Sequence, residues 1–159
     1  MRSLFLLVSL ISLLSLVACS DGGGKGGAEG GAGVEGSVTW SGGEAALVDG
    51  RAFEDEGADG AVRVILSSFA LSCSAVEDGV GFNTPADGVY VNFYPEDPLG
   101  GLELFANVEG TTSLRETFSF ETTAAASGAM IVGTVTLEGD AGDAAFSVDN
   151  CGSMDPFGS

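Results

Sequence analysis

From Val34 onward, apolar and polar positions alternate with a period of two, the repeat of a half-buried β-strand. Val34, Gly36, Val38 and Trp40 fall on one side of a first strand. Ala46-Leu47-Val48 and Arg51-Ala52-Phe53 flank Asp49-Gly50. Asp-Gly between apolar runs predicts a hairpin, because a type I′ turn needs positive φ at both central residues. Val62, Val64 and Leu66, followed by Phe69, Leu71 and Cys73, predict one long strand bent at Ser67-Ser68. Residues 89–94 are rich in aromatic and β-branched side chains, and Pro95 and Pro98 end that strand. Leu102, Leu104, Ala106 and Val108 alternate with Glu103, Phe105, Asn107 and Glu109. Phe118 and Phe120 mark a strand within residues 114–122, Ile131, Val135 and Leu137 another, and Phe146 and Val148 point inward from a last one over 145–151. Ala124-Ala125-Ala126 reads as loop, since Ser127-Gly128 follow at once. About eight short strands with turns at roughly 8–12-residue spacing predict an all-β fold, a single antiparallel β-sandwich or small barrel.

The pattern before Val34 is different. Arg2 precedes an apolar, serine-broken stretch from residue 4 to residue 18, and the chain turns polar and glycine-rich after Cys19. A cation, a short apolar run and a small residue at the cut form the pattern of a secretory signal peptide. The run is too short and too broken by serine for a membrane span, which needs about 20 mostly apolar residues. Residues 20–36 hold nine glycines and little that could pack. As a flexible coil they would span roughly 21–25 Å.

Leu16-Val17-Ala18-Cys19 resembles the lipobox of bacterial lipoproteins. That resemblance implies cleavage before Cys19, a diacylglycerol on its sulfur and a further acyl chain on its amine. Two chains anchor stably where one does not. Ser20 stands where lipoproteins kept at the inner membrane of Gram-negative cells carry Asp, which favours the outer membrane, with Asp21 one place later. In a Gram-positive host the anchor is the plasma membrane. The alternatives are an ordinary secreted protein cut at Ala18 and a cysteine standing there by chance. The domain organisation expected is a signal peptide over 1–18, a lipidated cysteine and tether over 19–36, a β domain over 37–153 and a tail over 154–159. In composition that domain resembles the small β domains of envelope lipoproteins.

Charge narrows the partners. Five cations stand against 23 carboxylates, a formal net charge of −18. Nucleic acid needs Lys and Arg for its phosphates and is excluded as a partner. A surface lying flat on anionic lipid is disfavoured for the same reason. Dispersed carboxylates read first as a means of solubility. With Cys19 assigned to lipid, Cys73 and Cys151 remain. An even pair in an exported domain reads as a disulfide; two buried free thiols, or a two-thiol metal site, are the alternatives.

Catalytic patterns are scarce. The chain has no histidine, hence no usual general base or zinc ligand. It has no G-x-S-x-G elbow, and its one lysine, Lys25, lies in the tether. Gly22-Gly23-Gly24-Lys25-Gly26-Gly27 satisfies G-x-G-x-x-G, but no strand precedes it and no helix follows, so no nucleotide site is read there. Paired carboxylates could hydrolyse a glycoside, but they need an aromatic-lined groove and this chain has one Trp and two Tyr. Trp40 reads as a core or edge residue, and Tyr90 and Tyr94 as half-buried aromatics sharing one strand face. The acidic stretch Glu54-Asp55-Glu56-Gly57-Ala58-Asp59-Gly60 offers four carboxylates without EF-hand spacing, and Asp140-Ala141-Gly142-Asp143 offers fewer; both read as solvated turns rather than calcium loops. The function expected is therefore non-catalytic: a membrane-anchored β domain with a binding or envelope-structural role, without cofactor or metal, meeting an envelope protein or glycan. The alternatives are a calcium-stabilised adhesion or carbohydrate-binding module and, last, a carboxylate-only hydrolase.

Overall fold

The computed structural model describes residues 33–108 and 112–155. The fold is all-β, with eleven strands in one curled sheet that forms a half-barrel. β1 (Gly33–Trp40) pairs with β2 (Gly43–Leu47) and with β11 (Gly142–Met154). β3 (Asp49–Asp55), β4 (Ala61–Ser67), β5 (Val89–Phe93), β6 (Leu102–Val108) and β7 (Thr112–Phe118) follow as an antiparallel run. β10 (Met130–Leu137) pairs with β11 and carries the short strands β8 (Phe120–Thr122) and β9 (Ala125–Ser127). The alanine run expected as loop is thus partly strand β9. β1 begins at Gly33, ahead of the boundary placed at 37, because Val34 packs into the core opposite Phe146.

β11 holds the two halves of the sheet together. Its first part ladders with β1 and β10, and from Asp149 it runs parallel to β3, the one parallel pair among the described strands. The register shifts between Asn150 and Ser153, where β11 carries one residue more than β3. Gly152 supplies the positive φ, 87°, at that bulge. The extra residue flips the parity of the strand. Cys151 and Met154, one odd and one even, therefore both pack on the outer face.

Inside the curl, Val38, Val64, Leu66, Val91, Leu104, Val135 and Val148 are fully buried. Phe93 meets Phe120 and Phe146 edge-on, with ring centroids 5.2 and 6.0 Å apart. Ser41, in the β1–β2 turn, donates from its backbone N–H to the Glu116 carboxylate of β7 at 3.2 Å. That contact draws the far edge of the sheet toward the first hairpin.

Two local expectations are corrected. Asp49-Gly50 is not a hairpin turn: β2 and β3 do not pair, and the chain passes between them through Val48 alone. Asp49 instead uses its carboxylate as a hub, accepting from Gly50 N–H (2.7 Å), Leu71 N–H (2.8 Å) and Arg51 Nη1 (2.8 Å). Gly50 is small because a Cβ there would lie 2.7 Å from the Ile65 carbonyl oxygen. The long strand through Cys73 also fails to form. β4 ends at Ser67, whose hydroxyl donates to the Phe69 carbonyl at 2.6 Å. Ser72 then caps helix α1 (Cys73–Glu77) by accepting from Ala75 N–H. Helix α2 (Val80–Asn83) follows at once.

Cys73 and Cys151 stand at disulfide distance, with Cα atoms 5.5 Å apart and 78 positions apart in sequence. Replacing both by serine should cost about 4.5 kcal/mol, the loop-closure value for a ring of that length. Urea denaturation of the double variant against the oxidised wild type checks this; equal midpoints would show that the bond carries none of the stability.

Candidate functional site

Strands β3 to β6 carry large apolar side chains on both faces. Ala52, Val64, Leu66, Val91 and Leu104 point into the curl, while Phe53 and Ile65 belong to a second, outer cluster against which Tyr90 packs. A sheet face of this composition has to be covered. Leu71, Val76 and Val80, from the segment that carries α1 and α2, supply the cover. Helices of five and four residues do not persist in isolation, so these depend on tertiary packing and on the bond from Cys73 to Cys151.

The cover does not fill the face. A cleft of about 390 Å³ remains between α1–α2 and the sheet. Val76, Gly79, Val80 and Gly81 line it from the helical side, and Phe53, Arg63, Ile65, Tyr90, Asn92, Glu103 and Phe105 from the strands. Strand register sets this arrangement. Phe53 lies opposite Arg63, Ile65 opposite Asn92, Asn92 opposite Glu103, Tyr90 opposite Phe105 and Phe105 opposite Arg115. The outer positions of the four neighbouring strands β3 to β6 thereby converge although the lining residues Phe53 and Phe105 lie 52 positions apart in the chain.

The Tyr90 and Phe105 rings stack, with centroids 4.9 Å apart and planes 11° from parallel. The Arg115 guanidinium lies 5.6 Å from the centre of the Phe105 ring and pairs with Glu103. Arg63 sits 4.7 Å from the centre of the Tyr94 ring, its Nε 3.4 Å from Asp55 Oδ2. The Tyr94 hydroxyl donates to the same oxygen at 2.6 Å, and Gly57 N–H donates to the other at 3.0 Å. Both charged side chains that line the cleft are thus engaged by a neighbour of opposite sign. Asn92 is different. It is only 8% exposed, and none of the side-chain hydrogen bonds among the described residues uses its amide.

Both phenols are held neutral. Burial raises the Tyr90 pKa, opposed by Arg63 and Arg115. Tyr94 is pushed up to about 12, first by burial and then by its hydrogen bond to Asp55, with Arg63 opposing.

The residues singled out from the sequence divide unevenly. Cys73 and Cys151 come together and frame the covered face; Cys19 lies outside the described residues. The acidic stretch does not gather into a cation site. Asp55 turns inward to Arg63 and Tyr94, Glu56 accepts from the Ser153 hydroxyl, and Asp59 ends the following turn with φ of 55°. Among the described residues no three metal-ligating side chains converge, at Asp140 and Asp143 or elsewhere. Trp40 packs at the edge of the main core, its Nε1 buried without a partner among the described residues. Tyr90 and Tyr94 do share a face, the outer one. Arg63, Asn92 and Phe105 went unnoticed as site residues. The signal available was the apolar character of Phe53, Ile65, Tyr90 and Phe105 at positions whose parity faces away from the core.

Compared with protein-family models, curated proteins and solved structures, the chain matches none. The chemistry of the cleft is therefore read from its own residues.

Tyr94 yields a prediction with a defined sign. Its folded pKa of about 12 exceeds the ordinary value of 10.0, so its contribution to stability is intact below pH 10 and is lost as the pH rises toward 12. A spectroscopic phenolate titration should show a transition near pH 12 that Tyr94→Phe removes. Two tyrosines titrating together near pH 10 would contradict the Asp55–Tyr94 hydrogen bond.

Proposed function

We propose that this protein is an exported bacterial lipoprotein, anchored through Cys19, whose β domain binds a small ligand in the cleft beneath α1 and α2. The observation that carries the binding role is the cleft itself. It is concave, mostly apolar, of a size typical of small-molecule sites, and its few polar groups converge. The anchor rests on Leu16-Val17-Ala18-Cys19 at the end of an apolar run. The Cys73–Cys151 pair supports an oxidising compartment. Ser20 after the lipidated cysteine favours the outer membrane in a Gram-negative host.

Binding is favoured over catalysis. Glu103, which lines the cleft, and Asp55, which meets its Arg63, are each engaged by an arginine, and the chain offers no histidine to move a proton between them. It is also favoured over a calcium-held adhesion module, since the acidic side chains diverge.

Expression of the full chain in bacteria with labelled palmitate tests the anchor. Label and membrane fractionation should both depend on Cys19 and be lost in Cys19→Ala. A wild-type chain that stays unlabelled and soluble outside the cell would overturn the lipoprotein reading.

A further inference from the structure

We infer that the cleft takes an uncharged, largely apolar small molecule carrying one amide or lactam edge, held by the side chain of Asn92. This rests on the reading of the cleft as a binding site and specifies its ligand. The walls set the body of the ligand. Ile65 and Phe53 on the sheet face Val76 and Val80 on the helices, with Tyr90 and Phe105 beside them. Such a lining favours apolar surface with little conformational freedom to lose.

Asn92 sets the polar end. The residue is only 8% exposed and lines the cleft between Ile65 and Glu103, and its amide, open to the cleft, makes no side-chain hydrogen bond among the described residues. Nothing among the described residues competes for that amide, so it is free to pair with a ligand. An asparagine amide presents a donor and an acceptor side by side, which a cis-amide or lactam edge matches with an acceptor and a donor. Water could occupy the same groups but would not fill the apolar remainder of the space.

Charge sets the class. An anion would meet a chain of net charge −18 and an arginine already engaged with Asp55. A cation would have to compete with Arg115 for Glu103. An uncharged ligand disturbs neither pair.

The test uses the full chain as isolated from its membrane in lipid nanodiscs, with empty nanodiscs of the same lipid as the reference for probe partition. Three bicyclic probes of similar size are titrated by ligand-observed NMR: 2-quinolone, naphthalene and 2-naphthoate. The lactam should bind at least tenfold more tightly than the other two. Asn92→Leu should reduce it to the level of naphthalene. Gly81→Leu, at an exposed position whose added Cβ would lie 3.7 Å from the Tyr90 hydroxyl, should weaken all three by narrowing the cleft. Circular dichroism of both variants guards against loss of fold, and Gly81→Leu keeps the test decisive if Asn92→Leu does not fold. Naphthalene or 2-naphthoate binding as well as the lactam, with sensitivity to Gly81→Leu, would overturn the ligand class and leave the cleft as a binding site. No binding by any probe, or binding indifferent to Gly81→Leu, would overturn both.

Discussion

The structure depends on covering the outer face of β3–β6. Phe53, Ile65, Tyr90 and Phe105 give that face an apolar surface that the curl of the sheet cannot bury, because the same strands already turn Val64, Leu66, Val91 and Leu104 into the main core. Each such side chain contributes roughly 1.5–3 kcal/mol when fully removed from water. What covers them is a segment with little intrinsic structure, two helices of five and four residues. The Cys73–Cys151 bond and the hydrogen bond from Leu71 N–H to Asp49 fasten that segment at its start. The bulge at Gly152 is part of the same device, since it lets both Cys151 and Met154 reach the outer face. The cleft is what remains where a short cover meets a wide face.

Electrostatics organise the rest of that face. A chain so rich in carboxylates has three arginines among its described residues, and all three lie on β3, β4 and β7. Arg51 is buried with Asp49, Arg63 lies against Asp55 and Tyr94, and Arg115 against Glu103 and Phe105. The scarce cations are thus spent compensating carboxylates that the fold draws toward the covered side. The remaining acids stay dispersed over the surface, which keeps the molecule strongly negative and its own copies apart.

Much of the fold was legible because a half-buried strand imposes a period of two that survives in the sequence. The inner residues of β1, β4, β6, β10 and β11 were readable in this way, β5 from its aromatic and β-branched content, and the two cysteines as an even pair. The failures have physical causes. Asp49-Gly50 carries turn residues for reasons other than a turn: a carboxylate that binds three donors and a glycine that admits Ile65. Phe69 and Leu71 alternate with Cys73 like a strand because the first two pack on the outer cluster and the third bonds to Cys151 beside it, yet they do so from a loop and a helix start. The cleft was largely hidden, since its residues come from strands joined only by register, and no local pattern places Asn92 beside Ile65 and Glu103. The one readable trace was large apolar side chains at outward parity, which mark a second covered face before any contact is known.

The most direct test is a set of proton–proton contacts measured by NMR in the oxidised and the reduced protein. The oxidised form should show contacts from the Val76 and Val80 methyls to the Ile65 and Tyr90 side chains. Reduction should abolish them while the Phe93–Phe120 and Phe93–Phe146 contacts of the main core persist. Absence of the helix-to-sheet contacts in the oxidised protein, or their survival unchanged after reduction, would contradict the account of a cleft built by a disulfide-held cover.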